Sequence, residues 1–390
     1  MTPAARAAAA IEVLDRWLAG MPAEQALTNW ARSSRFAGSG DRHAVRDLVF
    51  QAIRCRRSHA AFGGAETGRG LILGGQRDRG EDPAAIFTGE GHAPAPLTDA
   101  ERDSGHAPSG AEALDCPEWL WPRLQTSLGA DAAPVMAAQR QRADVHLRVN
   151  SLRATPTEAL AALAAENIIC APHPLADTAL SVIEGGRRVA QSRAYLEGLV
   201  ELQDAASQAV VAALPLRPGM RVLDYCAGGG GKALAMAART GGPVAAHDAD
   251  PRRMRDLPAR AGRAGAAITL LSPDHVANSG PWDLVLTDVP CSGSGSWRRA
   301  PEGKWLLTAE RLTELARLQD GILDRASALL GPGGVLAYAT CSLLSCENGD
   351  RIAAFLARHP GWTVKAQRQF TPLDGGDGFF VAVLTREISD

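Results

Sequence analysis

Two short apolar runs in this chain end on a cysteine. Asp283 to Gly295 reads DLVLTDVPCSGSG, with Asp288 three positions before Cys291, and Val335 to Ser342 reads VLAYATCS, ending on Cys341 and Ser342. A thiol at the carboxyl end of a buried strand is well placed for chemistry, because its thiolate is a strong nucleophile once its surroundings lower its pKa. The plain alternative is packing, since free cysteine is among the most buried residue types. One such cysteine is read that way; two, on neighbouring strands and each followed by a polar turn, are read as a site. Cys226 ends a third run and Cys346 sits in the turn after Cys341, so both have weaker claims, and Cys55, Cys116 and Cys170 read as structural.

The elements that must position these thiols lie beyond Gln203. RVLDYC, PVAAHD, AITLL, DLVLTD and GVLAYAT are short apolar runs separated by helical stretches, the pattern of a parallel sheet with helices on both faces. Ligands of such sheets bind beyond the carboxyl ends of the strands, which directs both cysteines into one crevice. The first turn, RVLDYCAGGGGKALAMA (Arg221 to Ala237), is a strand, a glycine-rich turn and a helix start, so a ligand is expected against Gly228 to Gly231. A P-loop would need GxxxxGK[ST], and Cys226 and Ala233 stand where it needs glycine and Ser/Thr. A dinucleotide fingerprint can be laid on Gly228, Gly230 and Ala233 with Asp248 for a ribose, a weak match. The third candidate is S-adenosylmethionine, whose site uses a similar turn, an acid after the second strand and polar groups after the third and fourth. Asp248, Asp274 and Asp288 stand there; the alternative, above all for Asp274, is a helix cap or turn former.

Paired cysteines favour one chemistry. Cytosine C5 will not attack a methyl sulfonium unaided, but a thiolate adding at C6, with an acid on N3, turns the ring into an enamine whose C5 can. The C5 proton must then leave and the thiol be expelled, so a second polar group beside the ring is useful. Cys291, Cys341 and Asp288 supply such a set.

Upstream, Ala4 to Leu18 and Arg42 to Arg56 have the spacing of amphipathic helices, the second behind an SGSGD break that offers Asp41 as N-cap. Residues from Gly74 to Gly110, rich in Gly, Pro, Asp, Glu and His, read as a connector. Pro117 to Val200 mixes helix-like stretches (Trp119 to Leu128, Thr157 to Asn167) with strand candidates (Val145 to Leu152, Ala179 to Ile183), an α+β module. Over 390 residues the net charge is only −2, so no global basic field advertises nucleic acid. The seven cysteines form no CxxC pair, and no metal is expected. No run approaches the about 18 apolar residues of a membrane span, and the opening residues lack a signal-peptide pattern. A soluble, cytoplasmic protein is the expectation. Only Lys232, Lys304 and Lys365 among 41 basic residues are lysines, an arginine bias that makes each remaining lysine worth attention.

The chain resembles the RsmB/NOL1/NOP2/Sun family of RNA cytosine-5 methyltransferases from Arg148 to Glu387. The resemblance rests on RVNSL (Arg148 to Leu152), ELQDAAS (Glu201 to Ser207), DYCAGGGGKA (Asp224 to Ala233), TDVPCSGSG (Thr287 to Gly295), WRRAPEGKW (Trp297 to Trp305), ATCSLLSCEN (Ala339 to Asn348) and GGDGFFVAVL (Gly375 to Leu384). The N-terminal helices, with GDRHAVRDLVFQAIR (Gly40 to Arg54), look more weakly like a NusB-type RNA-binding domain. The resemblance implies an α/β fold: a Rossmann-like class I methyltransferase domain with a doubly wound, mostly parallel sheet (203–390), preceded by a helical NusB-like domain (1–75), a connector (76–116) and a small α+β module (117–202).

It also implies roles. Cys341 would be the C6 nucleophile, Cys291 the residue assisting release, Asp288 the contact to N3, with Lys232 beside it. S-adenosylmethionine would be held by Cys226, Ala227, Gly228, Gly229, Gly230, Gly231, Lys232, Asp248, Asp274 and Asp288. DNA cytosine-5 methyltransferases use the cysteine of a PC motif as nucleophile, so Cys291 is the rival assignment. The family's CAAPGGKT reads CAGGGGKA here, and losing the proline is expected to loosen the turn. The implied partner is RNA, by analogy 16S rRNA, acted on by a monomer, with C6 reachable only in an unpaired or flipped cytosine. Arginine clusters at Arg54, Arg56 and Arg57, at Arg140, Arg142 and Arg148, at Arg187 and Arg188, and above all Arg298, Arg299 and Lys304, are expected to meet phosphates. Asp250 to Gly265 is read as an arginine-rich helix on the sheet's outer side. Two other readings stay open: another S-adenosylmethionine-dependent methyltransferase, on tRNA or another substrate, and a catalytically silent rRNA-binding assembly factor.

Overall fold

The computed structural model describes residues 1–386; Glu387, where the resembling stretch ends, and the last positions of the 203–390 range lie outside the described residues. The chain forms two compact units, Met1–Arg142 with Trp297–Leu306, and Ala143–Ser296 with Leu307 onward.

The first unit is helical among the described residues. Pro3–Leu18 has proline at its first position and Thr2 as cap, whose side chain accepts from Ala5 N, and its alanine-rich sequence suits a helix. Its buried face, with Val13 and Leu14, joins Leu27, Trp30, Val49, Ile53, Leu71 and Leu73 in one core. Ser39–Arg54 starts behind Gly38, so Asp41 lies in the first turn and is not the N-cap. Its carboxylate accepts from Arg6 Nε at 2.9 Å instead. The stretch expected as a connector carries the helices Asp99–Asp103 and Gly110–Ala113 and sends Phe87 into the core. Helices Trp121–Leu128 and Ala132–Gln139 belong to this unit, as does Trp297–Leu306.

The second unit opens with a four-stranded antiparallel sheet. Its strands are β1 (His146–Val149), β2 (Ile169–Pro172), β3 (Ala179–Glu184) and β4 (Val200–Leu202), in the order β2-β3-β1-β4. Helix Pro156–Ala165 starts at a capping box formed by Thr155 and Glu158.

Seven strands form the larger sheet: β5 (Val222–Asp224), β6 (Val244–His247), β7 (Ile268–Leu271), β8 (Trp282–Asp288), β9 (Leu330–Thr340), β10 (Trp362–Phe370) and β11 (Phe379–Arg386), ordered β10-β11-β9-β8-β5-β6-β7. Pairings from β7 through β9 are parallel, and β11 runs antiparallel to both its neighbours. This is the doubly wound, mostly parallel sheet expected of a class I methyltransferase domain. Its strands are buried on both faces: Val222, Leu284, Leu286 and Ala337 enter one core cluster, and Leu223, Val285, Leu336 and Tyr338 the other, the period-2 alternation of a covered sheet. Strand order reverses at β5, which pairs with β6 on one side and β8 on the other. The β8–β9 register, Asp288 opposite Ala339, brings the strand-end residues of both to the same edge.

Candidate active site

The turn after β8 is held onto the end of β9 by backbone bonds. Val289 N donates to Ala339 O at 3.0 Å and Gly295 N to Cys341 O at 2.9 Å. Sγ of Cys291 and Sγ of Cys341 thereby come within 3.4 Å. The hydrogen bond from Cys291, with Lys232 adding, pulls the Cys341 thiol below its ordinary pKa against burial and Asp288. The same bond, then burial, pushes Cys291 well above it. In this pair the thiolate is favoured at Cys341 and disfavoured at Cys291.

Lys232 lies in the first turn of helix Gly231–Thr240, and its Nζ donates to Asp288 Oδ2 at 2.7 Å. Burial draws the ammonium down, but Asp288 outweighs it and the pKa stands above the usual lysine value. Nearby Asp224 is 0% exposed, and neither of its oxygens makes a hydrogen bond of ordinary geometry. Burial, then the charge of Asp288, raises it to about 7, with Lys232 opposing. Cys226 is pushed far above an ordinary thiol by burial and then by Asp224, which removes it as a nucleophile.

The glycine turn is braced from outside. Gly228 and Gly230 take φ of 51° and 78°, left-handed values glycine adopts at no steric cost. Gly228 N donates to Asp248 Oδ2 at 2.9 Å, and Asp248 also accepts from Asp250 N and Arg253. Asp248, expected to face a ribose, is 3% exposed and stitches the turn to β6. Arg260 donates to the Gly229 carbonyl while Glu201 grips Arg260 and Arg263. The helix read as lying on the outer side of the sheet thus sends arginines to the turn. Asp274 is exposed in the helical turn after β7, and among the described residues it makes no hydrogen bond or ion pair. The structure therefore brings together Cys291, Cys341, Asp288, Lys232 and Asp224, while Asp274 stands exposed just beyond β7.

One participant went unread in the sequence. Glu347, 0% exposed, accepts hydrogen bonds from Ser292, beside Cys291, and from Ser342, beside Cys341. The EN pair of ATCSLLSCEN was its signal. Other motif residues hold the frame: Asp204 caps helix Ala205–Ala212 and accepts from Asp377 N, and Asn150 donates to the Gly198 and Ala264 carbonyls.

The expected phosphate contacts need correction. Lys304 is 1% exposed and donates to Arg54 O at 3.0 Å, while Arg54 donates to Arg298 O at 2.8 Å. Arg54 and Arg298 are themselves buried, so these three act in packing; Arg299 stays exposed. Arg148 is also buried, bonded to Gln203, and Arg140 is held by Asp78 and Asp115. Among the described residues no cluster of His, Cys, Asp and Glu could hold a metal ion, and no helix is long and apolar enough to cross a membrane.

Comparison with known proteins follows this geometry. A family model described as 16S rRNA methyltransferase RsmB/F matches residues 211–385, and one described as Methyltr_RsmF/B-like, ferredoxin-like domain matches 116–189. Ribosomal RNA small subunit methyltransferase B of Yersinia pseudotuberculosis serotype O:1b (strain IP 31758) is 34% identical over 285 residues, 70% of this chain and 66% of that protein. Its namesake in Yersinia pestis bv. Antiqua (strain Angola) matches to the same extent, so the match spans 66% of the length of these curated relatives. Among solved structures, PH0851 has a TM-score of 0.78 at 23% identity, covering 98% of this chain and 99% of that one. NSun6 from Pyrococcus horikoshii with SFG has 0.62 at 18%, covering 70% and 99%. At such identities these two establish the fold. On the family models and the curated relatives, the chain belongs to the RsmB/RsmF family of RNA methyltransferases.

Proposed function

We propose that the chain is an S-adenosylmethionine-dependent enzyme that methylates C5 of a cytosine in RNA, with 16S rRNA as the substrate class, through a covalent adduct on Cys341. The observation that carries this reading is the 3.4 Å pair of thiols, whose surroundings favour the thiolate at Cys341 and disfavour it at Cys291. Cys341 Sγ adds to C6 of an unpaired or flipped cytosine, and Asp288 contacts the base at N3, where the Lys232–Asp288 pair supplies the proton that N3 takes as negative charge builds there. Lys232 keeps Asp288 in place and adds positive charge beside the developing negative ring. In the last step a water molecule takes the C5 proton, the C5–C6 double bond re-forms and the Cys341–C6 bond breaks, the leaving Cys341 thiolate being stabilised by the S–H of Cys291.

The residues of the glycine turn fit the cofactor. The turn lies at the switch point of the sheet, at the amino end of helix Gly231–Thr240. The acids around it, Asp224, Asp248 and Asp288, suit a ligand with cationic groups. Gly228 to Gly231, with Cys226, Ala227 and Lys232, would hold it, and exposed Asp274 has the least support in the set. When bound it supplies the methyl group. A monomer acting in the cytoplasm completes the proposal; that all seven cysteines are free fits a reducing compartment.

Covalent trapping tests the reading. Cys291→Ala and Cys341→Ala are expressed separately, extracts are denatured, and attached RNA is sequenced. Retention by Cys291→Ala alone is expected, and the attached fragment names the target. Retention by Cys341→Ala alone exchanges the roles. If neither variant retains RNA and the wild type transfers no methyl group with cofactor present, the silent assembly factor replaces the enzyme.

A further inference from the structure

We infer that Glu347 is a positioning residue for the two thiols: its carboxylate ties the Cys291 turn to the Cys341 turn. The inference rests on the assignment of Cys341 as nucleophile and Cys291 as the residue of release.

Glu347 closes the helical turn Ser345–Glu347. Its Oε1 accepts from Ser292 N at 2.9 Å and from Gln319 Nε2 at 3.1 Å; its Oε2 accepts from the hydroxyls of Ser292 at 2.5 Å and Ser342 at 2.6 Å. Ser292 follows Cys291 and Ser342 follows Cys341, so one side chain spans both nucleophile-bearing turns. Gln319, from helix Ala309–Ser327, also donates to Pro290 O at 2.9 Å, which pins the residue before Cys291. Cys291 is thus clamped on both flanks through a single carboxylate. Below it, Asn348 donates to Ser342 O at 2.9 Å and Tyr338 to Glu347 O at 2.6 Å.

All four partners of the carboxylate donate, and all are neutral. A buried charge without a cation is expensive and is kept where hydrogen bonds satisfy it and its field has a use. Here the field falls on Cys291, whose ionisation it opposes. Cys341 lies beside Lys232, which favours its thiolate, and Asp288, which opposes it. Tyr338 feels the charges of Glu347, Arg351 and Asp320, and the last two pair with each other at 2.8 Å, so no cation among the described residues is bonded to the Glu347 carboxylate. Glu347 therefore disfavours a thiolate at Cys291, while Lys232 favours one at Cys341.

Two variants of the full chain separate charge from reach. Glu347→Gln keeps the size and removes the charge; Glu347→Asp keeps the charge and shortens the reach by one methylene. Alkylation of each thiol by iodoacetamide is followed against pH by peptide mass spectrometry without RNA, alongside methyl transfer and a melting curve. In folded Glu347→Gln, alkylation of Cys291 relative to Cys341 near pH 8 is expected to rise about three- to tenfold, because the charge that opposes ionisation of Cys291 is gone. Its kcat is expected to fall about tenfold with KM for RNA unchanged. Glu347→Asp is expected to keep the wild-type order of alkylation yet lose kcat, because it no longer reaches both serines. An unchanged alkylation ratio in folded Glu347→Gln, or full kcat in Glu347→Asp, overturns the inference. If wild type shows the thiol contrast but methylates no RNA, the proposed reaction fails and the thiol arrangement stands.

Discussion

Two of the three lysines are buried, and they share more than burial. Lys232 is 8% exposed with Nζ 4.8 Å from the centre of the Phe379 ring; Lys304 is 1% exposed with Nζ 4.6 Å from that of Trp305. Their partners differ. Lys232 meets the Asp288 carboxylate at 2.7 Å and its pKa rises. Among the described residues Lys304 Nζ donates to the Arg54 carbonyl and to no carboxylate, and burial brings it down to about 8, although the charge of Asp115 opposes. A carbonyl stabilises an ammonium but does not neutralise it, so the desolvation cost stays uncovered. The ring under each lysine does not distinguish them; the acid does. Lys232 is an ion-paired cation beside the Cys341 thiol, and Lys304 is a strut that closes the last turn of helix Ser39–Arg54, helped by Trp305 Nε1 donating to Ile53 O.

That contrast fixes the largest expected effect. Lys232→Met should lower kcat by about 100-fold or more, the usual cost of losing a charge aimed at a transition state. The folded state should survive with Asp288 still partly exposed to water. Single-turnover methyl transfer measured beside thermal unfolding checks this; a variant that loses stability while keeping kcat would make Lys232 a second strut.

Lys304→Met should act on stability alone, and its sign should change with pH. Below pH 8 both folded and unfolded chains hold the proton, and the wild type carries the full penalty of a pKa lowered from 10.5 to about 8, roughly 3 kcal/mol. The variant removes that penalty and loses one hydrogen bond and one ring contact, about 1–2 kcal/mol together, so a net gain of about 1 kcal/mol is expected at pH 7. Between pH 8 and the ordinary lysine value the unfolded chain holds a proton that the folded chain has given up. Wild-type stability therefore climbs through this window relative to the variant, and above it the variant is the weaker protein. Urea unfolding at pH 7 and pH 10 tests the crossover; parallel curves would mean that Lys304 is not charged by an ordinary proton equilibrium.

The same pair shows what the sequence could disclose. Cys291, Cys341, Asp288 and Lys232 were legible because each follows a strand or opens a helix, and strand ends in a doubly wound sheet must converge. Glu347 was not, since its worth lies in serines 55 and five positions away that only the folded turns bring near. Lys304 was misread for a related reason. Beside Arg298 and Arg299 it has the composition of a phosphate-binding patch, yet WRRAPEGKW packs with the first unit and buries its charge. The arginines from Asp250 to Gly265, read as part of a helix on the sheet's outer side, show the converse: Arg253 and Arg260 reach the glycine turn. Local pattern locates backbone elements well; it does not say which long cationic side chain will find an acceptor across the fold.

The smallest effect concerns that turn, three residues before Lys232. Gly228 and Gly230 need their left-handed conformations, and a Cβ on Gly230 would lie 2.2 Å from Leu257 Cδ1. Gly229 has no positive φ, and its Cβ would meet only the guanidinium tip of Arg260, at 3.3 Å. A flexible tip can yield by a few tenths of an ångström while still reaching the Gly229 carbonyl. Gly229→Ala should therefore stabilise the second unit by about 0.5 kcal/mol, by restricting the unfolded chain, and raise its Tm by roughly 1–2 °C. Gly230→Ala should lower it. Cofactor affinity in Gly229→Ala should stay at the wild-type level, because the braces on the turn, Asp248 at Gly228 N and Arg260 at Gly229 O, are backbone contacts. A loss of affinity without a loss of stability would show instead that the bare Gly229 surface is itself part of the cofactor's seat.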